Sequence, residues 1–104
     1  VFAVLCLDAK LRKIGFKKLF FGSLNSCDIS INQLLRHCLA ERASQIVIAH
    51  NHPHGSATPS QQDLDLTVKI YQACQIVEIY LLDHIIIAAE QNFSFAEHRL
   101  ISKI

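Results

Sequence analysis

The stretch Gln45-Ile46-Val47-Ile48-Ala49-His50-Asn51-His52-Pro53-His54-Gly55-Ser56-Ala57-Thr58-Pro59-Ser60-Gln61-Gln62-Asp63 changes character twice. Gln45 to Ala49 is β-branched and apolar with polar flanks, the composition of a short buried strand, and His50 stands at its C-terminal end. Asn51 to Pro59 holds two prolines and a glycine, which neither a helix nor a strand tolerates in its interior, so it reads as a loop. Ser60 then opens a helix whose predicted buried stripe is Leu64, Val68, Tyr71 and Cys74.

The flanking sequence supplies more of the same alternation. Val1 to Leu7 is a continuous apolar run of the kind a strand buried on both faces requires. A polar turn near Ala9 to Arg12 leads into Ile14 to Phe21, where lysines interrupt aromatic and aliphatic residues, and a β-hairpin is the economical reading. Ser30, with Gln33 three residues later, forms a capping-box pattern ahead of Ile31, Leu34, Leu35, Cys38 and Leu39 at helical spacing, with an end expected near Ala43. Ile76 to Ala89 supplies one long or two short strands, Asn92 a turn, and Phe93 to Phe95 a last strand. Ala96 to Ile104 closes the chain as a short amphipathic tail. The expected fold class is mixed α/β, a central mixed sheet flanked by helices.

Its 104 residues, half of them hydrophobic, suffice for one core and not for two ordinary domains, so residues 1–104 are read as a single domain. No apolar run approaches the roughly 20 residues that span a bilayer, and no signal-peptide pattern opens the chain. A soluble, cytoplasmic protein with no membrane partner is expected. Cys6, Cys27, Cys38 and Cys74 are widely spaced without a C-x-x-C pair, which fits reduced, partly buried thiols. The formal charge of +1 gives no electrostatic case for nucleic acid, and the basic cluster Lys10, Arg12, Lys13, Lys17 and Lys18 alternates with apolar residues as the solvent side of a hairpin does.

The chemistry is concentrated in the opening stretch. His50 and His52, at i and i+2 of an extended segment, lie on one face and can point at one ion. Asp63, arriving from the first turn of the next helix, can complete three protein ligands and leave a fourth position for water, the arrangement of a catalytic zinc. The pattern Ser60-x-x-Asp63 has a second reading as a plain helix cap, with the acid favoured by the helix dipole.

The order His-x-His, seven residues, Ser, two residues, Asp resembles the JAMM signature of JAB/MPN metalloproteases. His50-Asn51-His52-Pro53, followed by Gly55, Pro59, Ser60 and Asp63, resembles more closely the corresponding block of RadC-like proteins. Val1 to Asp8, Phe20-x-Gly22-Ser23-Leu24 and Leu81-Leu82-Asp83-His84-Ile85-Ile86-Ile87 are similar to other segments of that family, so the resemblance covers nearly the whole chain.

This resemblance implies a JAB/MPN, cytidine-deaminase-like fold, with Zn2+ as the cofactor and His50, His52 and Asp63 as its ligands. It also implies that Ser60 steadies a tetrahedral oxyanion and that a glutamate serves as general base. The family places that glutamate just before the first strand, which here puts it immediately ahead of Val1. The chain does not begin with methionine, so a preceding segment that carries this glutamate is expected. Two departures stand out: His54 replaces the family's usual serine, and Asn32-Gln33 stands where relatives often carry Arg-Glu. His54 reads as an exposed loop residue, a further ligand or a support to one.

Asp83 and His84, as neighbours in a strand, face opposite ways, so at most one can approach a metal. One could support a ligand histidine, or both could be a buried polar pair that fixes the sheet. The function expected is a zinc-dependent hydrolase of metallopeptidase type, acting on a peptide or isopeptide bond of an unidentified peptide or protein substrate. The alternative is a DNA-repair-associated or scaffolding RadC-like module that binds metal without turnover.

Overall fold

A computed structural model describes residues 1–20, 30–52, 56–89 and 91–101. In chain order the elements are β1 (Phe2–Leu7), β2 (Lys13–Phe20), α1 (Ile31–Ala40), β3 (Gln45–Asn51), α2 (Gln61–Ile76), β4 (Tyr80–Ile87) and β5 (Asn92–Ser94). The strands form one mixed sheet in the order β2-β1-β3-β4-β5. Only β3 and β4 pair in parallel, joined through α2, and the other neighbours are antiparallel. This is a mixed α/β architecture, as expected.

Register explains where the core lies. Val4 pairs with Ile48 and Cys6 with Ile46, and Phe2 stands opposite His50. Directly paired residues share a face, so Phe2, Val4, Cys6, Ile46 and Ile48, all fully buried, form one apolar surface with His50 at its end. Leu34 and Cys38 of α1 and Leu66, Ile70 and Cys74 of α2 belong to the same buried cluster. The small Ala3 and the terminal Leu7 are nearly buried on the opposite face, so β1 is covered on both sides as its continuous apolar run predicts.

One irregularity in β4 decides which of its polar residues turns inward. Ile46 pairs with Leu81 but Val47 pairs with Asp83, so Leu82 is an extra residue in the ladder. A bulge of this kind shifts the alternation by one. It brings His84 and Ile86 onto the face that carries Leu81, and all three are buried.

Both helices end alike. Arg42 and Glu78 adopt left-handed φ of 57° and 61°. Around them the bonds Ala43 N–H to Cys38 C=O and Ile79 N–H to Cys74 C=O, 3.0 and 2.9 Å, close Schellman turns. The turns feed straight into the sheet, since Ser44 donates to Leu7 and accepts from Tyr80. A non-glycine residue in this conformation is disfavoured by Cβ crowding, so Glu78→Gly is expected to stabilise the protein by about 1 kcal/mol, raising the melting temperature by roughly 4 °C. Thermal melts of the variant beside the wild type check this.

Three sequence expectations shift. The buried stripe of α2 is Asp63, Leu66, Thr67, Ile70 and Cys74, whereas Val68 is 40% exposed and Leu64 and Tyr71 are only partly covered. The cap at Ser60 fixes the rotation of the helix about its axis, and that rotation turns Asp63 and Thr67 inward. Ile76 ends α2 and is largely exposed, so β4 begins four residues later, at Tyr80. Leu39, placed in the α1 stripe, is also exposed.

Cys6, Cys38 and Cys74 are buried and free, while Cys27 lies outside the described residues. Burial pushes their thiols up, Cys74 to about 11, which keeps them protonated at neutral pH. Among the described residues no helix is long and apolar enough to cross a membrane.

Candidate metal centre

His50 occupies the penultimate position of β3, and His52 follows the strand's last residue. The backbone continues extended across them, with His52 N–H donating to Ile87 C=O at 2.9 Å, so the two imidazoles emerge on the same side. Asp63 reaches the same place from the first turn of α2. There its carboxylate and the Ser60 side chain form a reciprocal cap, with Ser60 N–H to Asp63 Oδ2 at 2.8 Å and Asp63 N–H to Ser60 Oγ at 3.1 Å. Cap and ligand geometry, alternatives on sequence grounds, therefore coexist in one carboxylate.

Three donor groups converge. His50 Nε2 lies 3.2 Å from His52 Nε2 and 3.2 Å from Asp63 Oδ1, and His52 Nε2 is 3.2 Å from Asp63 Oδ2. Bonds of about 2.0–2.1 Å at tetrahedral angles place ligand atoms about 3.3 Å apart, so the spacing suits such an ion. The donor chemistry agrees: two imidazoles with one carboxylate suit a transition-series ion, whereas calcium and magnesium prefer sets made of oxygen. These residues could hold a metal ion.

Electrostatics favour a cation. Asp63 is almost completely buried. Burial alone would raise its pKa, but hydrogen bonding to His50 and Ser60 outweighs that and holds the carboxyl well below the usual carboxylate range. It is an ionised group removed from water, a state that requires a partner charge. The histidine side is more open, with side-chain exposures of 12% for His50 and 23% for His52.

Behind these three residues lies a further set of side chains. His50 Nδ1 contacts His84 Nε2 at 2.9 Å, His84 Nδ1 contacts Thr67 Oγ1 at 2.6 Å, and the Thr67 hydroxyl donates to Asp63 C=O at 2.7 Å. His84 has no exposed surface and stacks on Phe95, with ring centroids 4.5 Å apart. Burial, aided by the imidazoles of His50 and His52 against the opposing pull of Asp63, pushes its pKa down to about 3. On the other side of the ligand pair, His52 Nδ1 lies 3.1 Å from Ser56 C=O.

The adjacent polar pair of β4 thus divides its labour. His84 joins the ligand cluster, while Asp83 accepts from the His84 and Ala96 N–H groups at 2.7 and 2.9 Å and from the Ser94 hydroxyl at 2.6 Å, pinning the turn after β5. Sequence reasoning named both residues but not Thr67. The available signal was its position four residues after Asp63, one helical turn further along the same face. His54 lies outside the described residues.

The family model for the RadC-like JAB domain matches residues 1–100. A UPF0758 protein of Acinetobacter baylyi is 66% identical over 103 residues, covering 99% of this chain and 38% of that protein. One from Acinetobacter baumannii is 62% identical over 102 residues, covering 98% of this chain and 43% of its own length. One from Coxiella burnetii is 41% identical over 101 residues, with coverages of 97% and 45%. The chain therefore spans less than half the length of these curated relatives.

Proposed function

We propose, since the chain belongs to the family of RadC-like JAB domains, that residues 1–104 are one domain in which His50, His52 and Asp63 hold a zinc ion for hydrolysis of a peptide or isopeptide bond. The observation that carries this reading is the convergence of two imidazole nitrogens and a buried carboxylate at mutual spacings of 3.2 Å. Three protein ligands leave one tetrahedral position for water or a substrate oxygen. A zinc ion held by these three residues would supply Lewis acidity to a carbonyl and acidify a water.

The protein's own groups have separable tasks. His50 and His52 offer neutral nitrogen donors, and Asp63 offsets part of the metal's charge while the cap keeps its carboxylate oriented. Ser60 accepts the Asp63 N–H through an oxygen lone pair. Its hydroxyl proton is left to donate, and the exposed side chain can offer it to an oxygen on which negative charge develops. The general base is assigned to a glutamate immediately ahead of Val1. Phe2 pairs with His50 and Val1 C=O accepts from Asn51 N–H, so a residue continuing that strand would run alongside His52.

The test is elemental analysis joined to a hydrolysis assay. Residues 1–104 reconstituted with zinc are expected to retain about one ion per chain. The longer polypeptide is expected to cleave members of a peptide and isopeptide library, losing activity to a chelator and regaining it with zinc. Ser60→Ala should reduce turnover and cost about 1 kcal/mol of stability through the lost cap. A folded sample that takes up no zinc overturns the reading. Salt-sensitive DNA binding indifferent to chelation, without hydrolysis, would move the protein to a nucleic-acid-associated role.

A further inference from the structure

The geometry points to Thr67 and His84 as positioning residues that fix Nδ1 of His50 as a donor, so that Nε2 is the nitrogen it presents to the donor cluster for an ion. This inference rests on the metal-site reading above and concerns how the site is kept ready for the ion.

The argument follows protons from the one place where their direction is fixed. A backbone carbonyl can only accept, so the Thr67 hydroxyl spends its single proton on Asp63 C=O, 2.7 Å away. Thr67 Oγ1 must then accept from His84 Nδ1 at 2.6 Å, which makes His84 the Nδ1–H form. Fully buried and stacked on Phe95, His84 is neutral, so its Nε2 carries a lone pair. That lone pair lies 2.9 Å from His50 Nδ1, which must be the donor. With Nδ1 the donor to His84, Nε2 is the nitrogen that His50 turns to the cluster, 3.2 Å from both Asp63 Oδ1 and His52 Nε2, and the one whose lone pair an ion would take in place of the hydrogen bond to Asp63.

The two histidines of the site are therefore oriented by different means. His52 Nδ1 faces Ser56 C=O at 3.1 Å, and the carbonyl imposes the Nδ1–H form directly. His50 has a histidine behind it, which by itself could donate or accept. Thr67 removes that ambiguity. The relay is also closed, running from His50 through His84 and Thr67 back to the backbone of Asp63, so it ties two of the three donor residues into one rigid unit. The bulge at Leu82, which turns His84 toward α2, is the backbone feature on which it depends.

The test uses the wild-type chain and two variants that differ by a hydroxyl. In zinc-free wild type, ¹⁵N chemical shifts of the imidazoles are expected to report His84 as neutral Nδ1–H. Thr67→Ser keeps the hydroxyl and should keep that tautomer, with zinc affinity within about threefold of wild type. Thr67→Val keeps the shape and removes the acceptor. His84 is then expected to shift toward the Nε2–H form, with zinc binding weakened about 10–100-fold, the usual effect of losing a support to a metal ligand. Rescue by serine but not valine separates positioning from packing.

An Nε2–H His84 in the wild type overturns the proposal, and that readout needs no variant to fold. So does a Thr67→Val protein with unchanged His84 shifts and zinc affinity. A wild-type chain that shows the Nδ1–H tautomer but binds no zinc would instead sink the metal reading while supporting the relay.

Discussion

Replacing Asp63 with asparagine is expected to lower zinc affinity by at least about 100-fold, the upper end of what the loss of an outer partner costs, while leaving α2 in place. The carboxylate does two jobs that this substitution separates. As a cap it accepts the Ser60 N–H, and an asparagine oxygen can accept the same bond. As a donor to the ion it brings a full negative charge, which an amide lacks. The charge matters here because an imidazole that binds a metal does so as a neutral donor, so Asp63 alone would offset part of the charge of a dication. Competition against a chromophoric chelator gives the affinity, and circular dichroism checks the helix. An Asp63→Asn protein that binds zinc within threefold of wild type would remove Asp63 from the ligand set.

The candidate site was marked in residue types and spacing, and by the family resemblance, because its candidate donors are polar residues near the ends of regular elements. His50 and His52 stand out at the end of an apolar strand, and Ser60 and Asp63 stand out at a helix start. The fold class was legible for a related reason: apolar runs and turn residues mark strands, loops and helices locally. The buried face of α2 was not. Hydropathy assigns apolar residues to the core, whereas the inward face here includes Asp63 and Thr67, each buried by a specific hydrogen bond. The bulge in β4 was equally hidden. Ile76 to Ala89 reads as one long or two short strands, and only the pairing with β3 reveals that Leu82 shifts the alternation. Tertiary pairing, not local sequence, makes His84 rather than Asp83 the residue behind the site.

The burial of His84 also makes acid the condition under which the metal-free protein should fail. In an unfolded chain its imidazole takes a proton below about pH 6.5, whereas in the folded protein burial delays that until about pH 3. Between those values the unfolded state binds more protons, so folding stability decreases as pH falls. The contribution is complete above pH 6.5 and exhausted below about pH 3, and within that window the slope approaches about 1.4 kcal/mol per pH unit. Over the whole window the loss amounts to several kcal/mol, a large share of the stability of a marginal domain. Asp63 acts in the same direction but lower: its folded pKa is depressed, so its contribution is present above the ordinary aspartate value of about 3.9 and is lost only as pH falls below that. The interval from about pH 6.5 to 4 therefore isolates His84 from Asp63. Urea denaturation of chelator-treated protein across that interval should show a steeper loss for the wild type than for His84→Gln, whose side chain is polar but does not titrate. The difference in slope should approach one proton. Equal slopes would mean that His84 is charged in the folded protein or exposed to water, and either result would contradict its place in the buried relay behind His50.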